Sequence, residues 1–201
     1  MVVVGLTGSL ATGKSTVAAM FNNFGAELFN ADQTVHQLIK TTGACYRPVV
    51  GLLGSEILTR GEIDRRKVAR IVFQNKEKLK KLERILHPAV KKEMIKNIKQ
   101  WKKQKQNKII VLDVPLLFES GLDRFVDATV VVKASRKDQL KRAQQRLKIS
   151  YSEASRRIDA QMPLTDKLDL SDHIINNNTE KKQTRKQVKK LWQELQPKIK
   201  K

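Results

Sequence analysis

One stretch near the start of the chain, GLTGSLATGKST at residues 5–16, restricts the fold more than any other. Gly8, Gly13, Lys14 and Ser15 fit the spacing G-x-x-x-x-G-K-S/T of a loop that wraps a polyphosphate. Such a loop turns its backbone N–H groups inward through angles that a Cβ obstructs, so glycine stands at the tight points. The apolar Val2-Val3-Val4 before it reads as a buried parallel strand, and STVAAMF after it reads as a helix. A helix that starts near Lys14 presents free N–H groups and the positive end of its dipole to a phosphate. Lys14 adds a point charge near the β- and γ-phosphates, and the Ser15 hydroxyl can ligate Mg²⁺.

The rest of the chain supplies a sheet for that loop. Val2–Leu6, Ile109–Leu112, Thr129–Val132, His173–Ile175 and Ala26–Asn30 read as short buried strands with helical patterns between them. This alternation predicts an α/β fold on a parallel sheet, with ligands at the C-terminal ends of the strands. No strand is expected between Asp32 and Lys108, where residues 33–107 look helical. Asp64 is placed to cap RRKVARIVF, and Val90, Met94, Ile98 and Trp101 form an apolar stripe on a very basic helix. A second helical insertion runs from Ser135 to about Leu170, where Ser150 and Glu153 have the spacing of a capping box. A final helix carries Val188, Leu191, Trp192 and Leu195 on one stripe, ends at Pro197, and puts Trp192 in the core.

Composition narrows the class. The chain has 201 residues, enough for one full core with insertions. Cys45 is the only cysteine, so no internal disulfide forms and a reducing compartment is expected. Neither a signal-peptide pattern nor an apolar run of membrane-spanning length is present, so a cytoplasmic protein that does not enter membranes is expected. Forty-one Lys and Arg against twenty acids give a net charge of +21, which suits polyanionic ligands. Solvated helical faces such as EKLKKLE account for the same excess. Only 5% of residues are aromatic and no nucleic-acid-binding motif is present, so no nucleic-acid partner is expected.

Three further stretches carry chemistry. In NADQTVH, Asp32 just after a strand can take the proton of an attacking hydroxyl, or can cap the helix that follows. In IIVLDVPLLFE, Asp113 at a strand end suits a water-bridged Mg²⁺ site, and the apolar loop after it can hold part of a substrate or pack into the core. Arg142 and Arg146, four apart on one helix face, can close over a triphosphate as part of a lid, or form a solvated basic face.

Taken together, GLTGSLATGKSTVA, NAD, DRRKVARIVF, HP, LDVPLLFESGLD and RRIDAQMPLTDK…SDHIINN resemble the dephospho-CoA kinase family over residues 2 to about 178. The PLLFE and R-I-x-x-Q segments carry that resemblance more specifically than the phosphate loop does. It implies a nucleoside-kinase-like parallel sheet flanked by helices, with a helical substrate domain and a helical lid. The core would be 1–32, 108–134 and 171–201, the CoA-binding insertion 33–107, and the lid 135–170. The implied reaction moves the γ-phosphoryl group of ATP to the ribose 3′-hydroxyl of dephospho-CoA, giving CoA and ADP, with Mg²⁺ as cofactor and a monomer as the expected state. By that resemblance Gly8, Ala11, Thr12, Gly13, Lys14, Ser15 and Thr16 hold ATP, and Asp32 is the base. Arg142 and Arg146 meet ATP from the lid, and Ser15 and Asp113 hold the metal. Arg65, Leu116 and Phe118 face the CoA side, and His87, with Pro88 at a helix start, is structural or substrate-side.

Two positions depart from the family pattern. Ala11 stands where glycine is usual, and Asn30 stands where aspartate is usual. Alanine is tolerated if φ is negative there and strained, by on the order of 1 kcal/mol, if φ is positive. Asn30 removes one of two neighbouring carboxylates and leaves Asp32. The rival readings are another small-molecule phosphate-loop kinase of the nucleoside monophosphate type and a nucleic-acid-binding ATPase.

Overall fold

The computed structural model describes residues 1–103 and 108–196, and the chain divides into two compact units. One is Met1–Asn30 with Trp101–Lys201, the other Ala31–Gln100.

The first unit is built on a five-stranded parallel sheet among the described residues. Its strands are β1 (Val2–Thr7), β2 (Glu27–Asn30), β5 (Ile109–Asp113), β6 (Ala128–Lys133) and β7 (His173–Asn176), in the order β2-β5-β1-β6-β7. All five expected strands are present, each within a residue or two of its apolar run. Central strands covered on both faces need continuous apolar runs, and β5 and β6 have them. Register aligns Leu6 and Asn30 with Asp113, so β1, β2 and β5 end level with one another.

Helices α1 (Lys14–Asn23) and α9 (Lys181–Leu195) cover one face. Val17, Met20 and Phe21 of α1 share a core with Val4, Val111, Val130, Val188 and Leu191. Trp192 packs against this core with its ring 6.3 Å from that of Phe24, as its place on the stripe predicts. The expected terminator Pro197 lies outside the described residues.

Helices α6 (Arg136–Leu147) and α7 (Tyr151–Asp159) are capped by Ser135 and Ser150, whose hydroxyls accept from the N–H groups of Asp138 and Glu153. The capping box is half formed, because the Glu153 carboxylate accepts from Arg157 of its own helix. Leu140, Ala143, Ala154 and Ile158 of this pair form a small core that Leu10 and Ala11 join. α8 (Leu164–Asp169) follows.

The second unit contains α2 (Ala31–Leu38), α3 (Tyr46–Leu53), α4 (Arg65–Val72) and most of α5 (Lys76–Lys103), around Ile39, Val49, Leu53, Ile57, Val72 and Leu82. Asp64 caps α4 as expected, accepting from the N–H groups of Arg66 and Lys67.

Two expectations are corrected here. A hairpin, β3 (Leu58–Thr59) with β4 (Glu62–Ile63), lies where no strand is expected. Two-residue strands are too short to show alternation, and the turn is Arg60-Gly61, both at positive φ, with arginine where Asn or Asp is the usual signal. His87 and Pro88 do not start a helix but lie inside α5, which runs on through them. Pro88 cannot donate to the Arg84 carbonyl, but both residues are on the exposed side, where water can serve that carbonyl.

Candidate active site

The loop of residues 8–13 leaves β1 and enters α1. A Cβ on Gly8 would lie 2.7 Å from the Val132 carbonyl oxygen, so only glycine lets the loop pass that close to β6. Thr12 closes a turn inside the loop, its N–H and hydroxyl both donating to the Ser9 carbonyl at 3.2 and 2.9 Å. Gly13 sits at φ 96° and is the N-cap residue of α1, so no side chain competes for the first N–H groups of the helix. Unserved N–H groups at a helix start are what an anion needs. Ala11 lies at φ 59°, in the strained branch of the expectation for that position.

Lys14 and Asp113 form an ion pair at the strand ends, with side chains 11% and 2% exposed. The level ends of β2 and β5 bring Asn30 to the same carboxylate, its Nδ2 donating to Asp113 Oδ2 at 3.0 Å. Asn30 thus gives this carboxylate a donor, where an aspartate at the same position would have none to offer. Ser15 is exposed in the first turn of α1, and Thr16 is half-buried.

The loop after β5 is part core and part surface. Leu117 is fully buried, whereas Leu116 and Phe118 on either side of it are half-buried. The Pro115 carbonyl accepts from the Thr7 hydroxyl and from Lys167 Nζ, both at 2.9 Å. Lys167 has no exposed surface, and its ammonium also pairs with Glu119 at 2.8 Å. Glu119 in turn accepts from Met162 N–H, while Gln161 Oε1 accepts from Leu10 N–H at 3.0 Å. The stretch from Gln161 to Lys167 is thus tied both to the loop after β5 and to the phosphate loop.

Arg142 reaches the phosphate loop from α6. Its guanidinium donates to the Thr12 carbonyl at 3.4 Å and to the Asn177 carbonyl at 2.9 Å. Arg146, one turn on, is exposed. Gln161, Lys167 and Asn177 all lie in RRIDAQMPLTDK…SDHIINN, which carries the family resemblance, but nothing local in the sequence points to their contacts with Leu10, Glu119 and Thr12.

In the second unit, Asp32 is exposed and is the second residue of α2, inside the helix and not at its N-cap. The capping alternative for it therefore lapses. Arg65 is exposed as the first residue of α4, and His87 is half-buried within α5.

Titration is perturbed at a few groups. The Thr129 hydroxyl and N–H, both donating to Asp172, hold its carboxyl below the usual range. Burial pushes the free Cys45 thiol up. Among the described residues no group of three or more His, Cys, Asp or Glu is placed to hold a metal. Ser15 is exposed in the first turn of α1 and Asp113 is buried at the end of β5.

A family model described as dephospho-CoA kinase matches residues 2–183. A dephospho-CoA kinase of Geobacillus kaustophilus is 42% identical over 197 residues, covering 96% of this chain and 98% of that one. A solved dephospho-CoA kinase from Campylobacter jejuni superposes with a TM-score of 0.70 at 30% identity, covering 96% of each chain. The structure of TT1252 from Thermus thermophilus gives a TM-score of 0.81 at 28% identity, covering 98% of each.

Proposed function

The chain belongs to the dephospho-CoA kinase family, and from that membership and the loop geometry we infer that Lys14 and the stretch from Ala11 to Thr16 hold the ATP phosphates while Asp32 takes the proton of the ribose 3′-hydroxyl. The reaction is transfer of the γ-phosphoryl group of ATP to that hydroxyl of dephospho-CoA, the last step of CoA biosynthesis. The observation that carries the assignment is the loop itself, with Gly13 in the left-handed region and Lys14 opening α1 at the ends of β1 and β5.

In this reading a triphosphate competes with Asp113 for Lys14, and the lysine then offsets charge as it moves onto the transferring group. Ser15 and Asp113 would hold Mg²⁺, which neutralises phosphate charge when bound. Gly8 and Thr12 shape the loop, and Thr16 is assigned to ATP through its hydroxyl, since its N–H donates to the Gly13 carbonyl at 2.9 Å. Asp32 follows the end of β2 by two residues, and its exposed carboxylate is open to an acceptor hydroxyl. Arg65, Leu116 and Phe118 are assigned to the acceptor, His87 to a structural or acceptor-binding role, and Arg142 and Arg146 to ATP. Residues 33–107 form the acceptor insertion and 135–170 the lid on a core of 1–32, 108–134 and 171–201. A cytoplasmic monomer without nucleic-acid partners completes the proposal; no helix among the described residues is long and apolar enough to cross a membrane.

Asp32→Asn tests the base. General-base assistance is typically worth ~10² to 10⁴ in rate, so kcat should fall by at least ~10²-fold. Melting should change little, because the residue is exposed and its amide keeps the same shape. Full activity in this variant would remove Asp32 from the mechanism and make Asp113 the next residue to test.

A further inference from the structure

We propose that Asn177 is a positioning residue that sets the orientation of the Thr12–Gly13 peptide in the phosphate loop. Asn177 follows β7, and its own N–H donates to the Lys133 carbonyl at 2.9 Å, which ties it to the end of β6. Its Nδ2 donates to the Thr12 carbonyl at 2.8 Å. Thr184 of α9 has no exposed surface, and its hydroxyl donates to Asn177 Oδ1 at 3.0 Å. The Thr12 carbonyl only accepts, so Nδ2 is the end that faces it, and the Thr184 hydroxyl holds the carboxamide in place from the Oδ1 end. Arg142 braces the arrangement, donating to the Thr12 carbonyl and to the Asn177 carbonyl.

The consequence follows from peptide geometry. In a trans peptide the C=O and the next N–H point in opposite directions. A Thr12 carbonyl held toward Asn177 aims the Gly13 N–H away from it, into the loop, where a phosphate oxygen would accept. The same contact explains why position 13 is glycine: a Cβ there would lie 2.0 Å from Asn177 Nδ2, and φ is 96°. Without the carboxamide, a buried carbonyl loses a donor and the peptide can rotate, which turns the N–H away from the phosphate.

This inference rests on the phosphate-loop reading of residues 8–16. Its test is calorimetric binding of ADP and, separately, of dephospho-CoA to the full chain carrying Asn177→Ala, Thr184→Val, Thr184→Ser or Lys14→Ala. Loss of one hydrogen bond of this kind is worth up to roughly tenfold in affinity. Asn177→Ala should weaken ADP about five- to tenfold on that scale and dephospho-CoA less than about twofold. Thr184→Val should weaken ADP in the same sense, and Thr184→Ser, which keeps the hydroxyl, should restore it. A merely structural role would lower both affinities together and would not depend on the hydroxyl. Thr184→Val also carries the test if Asn177→Ala does not fold. ADP binding unchanged in the Asn177 and Thr184 variants while Lys14→Ala weakens it overturns the positioning role alone. Unchanged ADP binding in Lys14→Ala as well overturns the phosphate-loop reading and this inference with it.

Discussion

Ala11→Gly is expected to be neutral or slightly stabilising, against the usual sign of an alanine-to-glycine change. Ala11 lies at φ 59°, where an L-residue pays about 1–2 kcal/mol that glycine avoids. Against that relief, glycine adds freedom to the unfolded chain, a cost of about 0.4–1 kcal/mol. The Ala11 methyl is half-buried against the Leu140, Ala143, Ala154 and Ile158 cluster. A fully buried methylene is worth about 0.8 kcal/mol, so its loss costs about 0.4 kcal/mol more. The sum lies between about −0.4 and +1.2 kcal/mol, centred near a gain of 0.4 kcal/mol. For a chain of this size that moves Tm up by about 1–2 °C. If the backbone at position 11 had negative φ, the strain relief would vanish and the variant would lose about 0.8–1.4 kcal/mol. Scanning calorimetry of the two proteins without ligand separates the cases. A fall in Tm of about 3 °C or more would refute the left-handed backbone and the strain argument built on it. Ala11→Val is the opposite control: a β-branched residue suits this region least, and its Tm should drop sharply.

Arg142→Ala should raise KM for ATP more than KM for dephospho-CoA, because the guanidinium sits on the Thr12 carbonyl of the phosphate loop; a defect confined to the acceptor would assign α6 to the other substrate. Lys167→Met should destabilise the protein by about 3 kcal/mol in urea unfolding, since it leaves Glu119 and the Pro115 carbonyl without the buried ammonium; a loss below about 1 kcal/mol would show that pairing to be of little structural weight. Asp172 binds its proton less readily when folded, so the unfolded chain takes up more protons near the ordinary carboxylate pKa of about 3.9. Its contribution is therefore full above that pH and lost as pH falls through the lowered folded value. Asp172→Asn should flatten this acid limb in stability measured against pH, and an unchanged slope would contradict the Thr129–Asp172 account.

Much of this was legible in the sequence, for identifiable reasons. The phosphate loop is legible because anion binding by backbone dictates residue types at fixed spacing, and the parallel strands because burial on both faces leaves continuous apolar runs. Asp64 and Ser150 are legible as caps because capping depends on local chain geometry alone. The β3–β4 hairpin is hidden because two-residue strands have no period, and α5 hides its continuity because Pro88 reads as a boundary. Contacts across long separations in sequence leave no local trace. Gln161 with Leu10, Lys167 with Glu119 and Asn177 with Thr12 are all of that kind. The φ of Ala11 belongs with them, since only the folded loop decides between the strained and unstrained branches.

Product analysis with the unmodified chain tests the central claim most directly. The protein is supplied with ATP, Mg²⁺, dephospho-CoA and, in competition, a nucleoside monophosphate, and products are resolved by mass spectrometry with phosphorus NMR to place the new phosphate. The account predicts CoA phosphorylated at the ribose 3′-oxygen, ADP in equal amount, and the monophosphate left unconsumed. ADP formed without CoA, or phosphoryl transfer to the monophosphate in preference to dephospho-CoA, would contradict it.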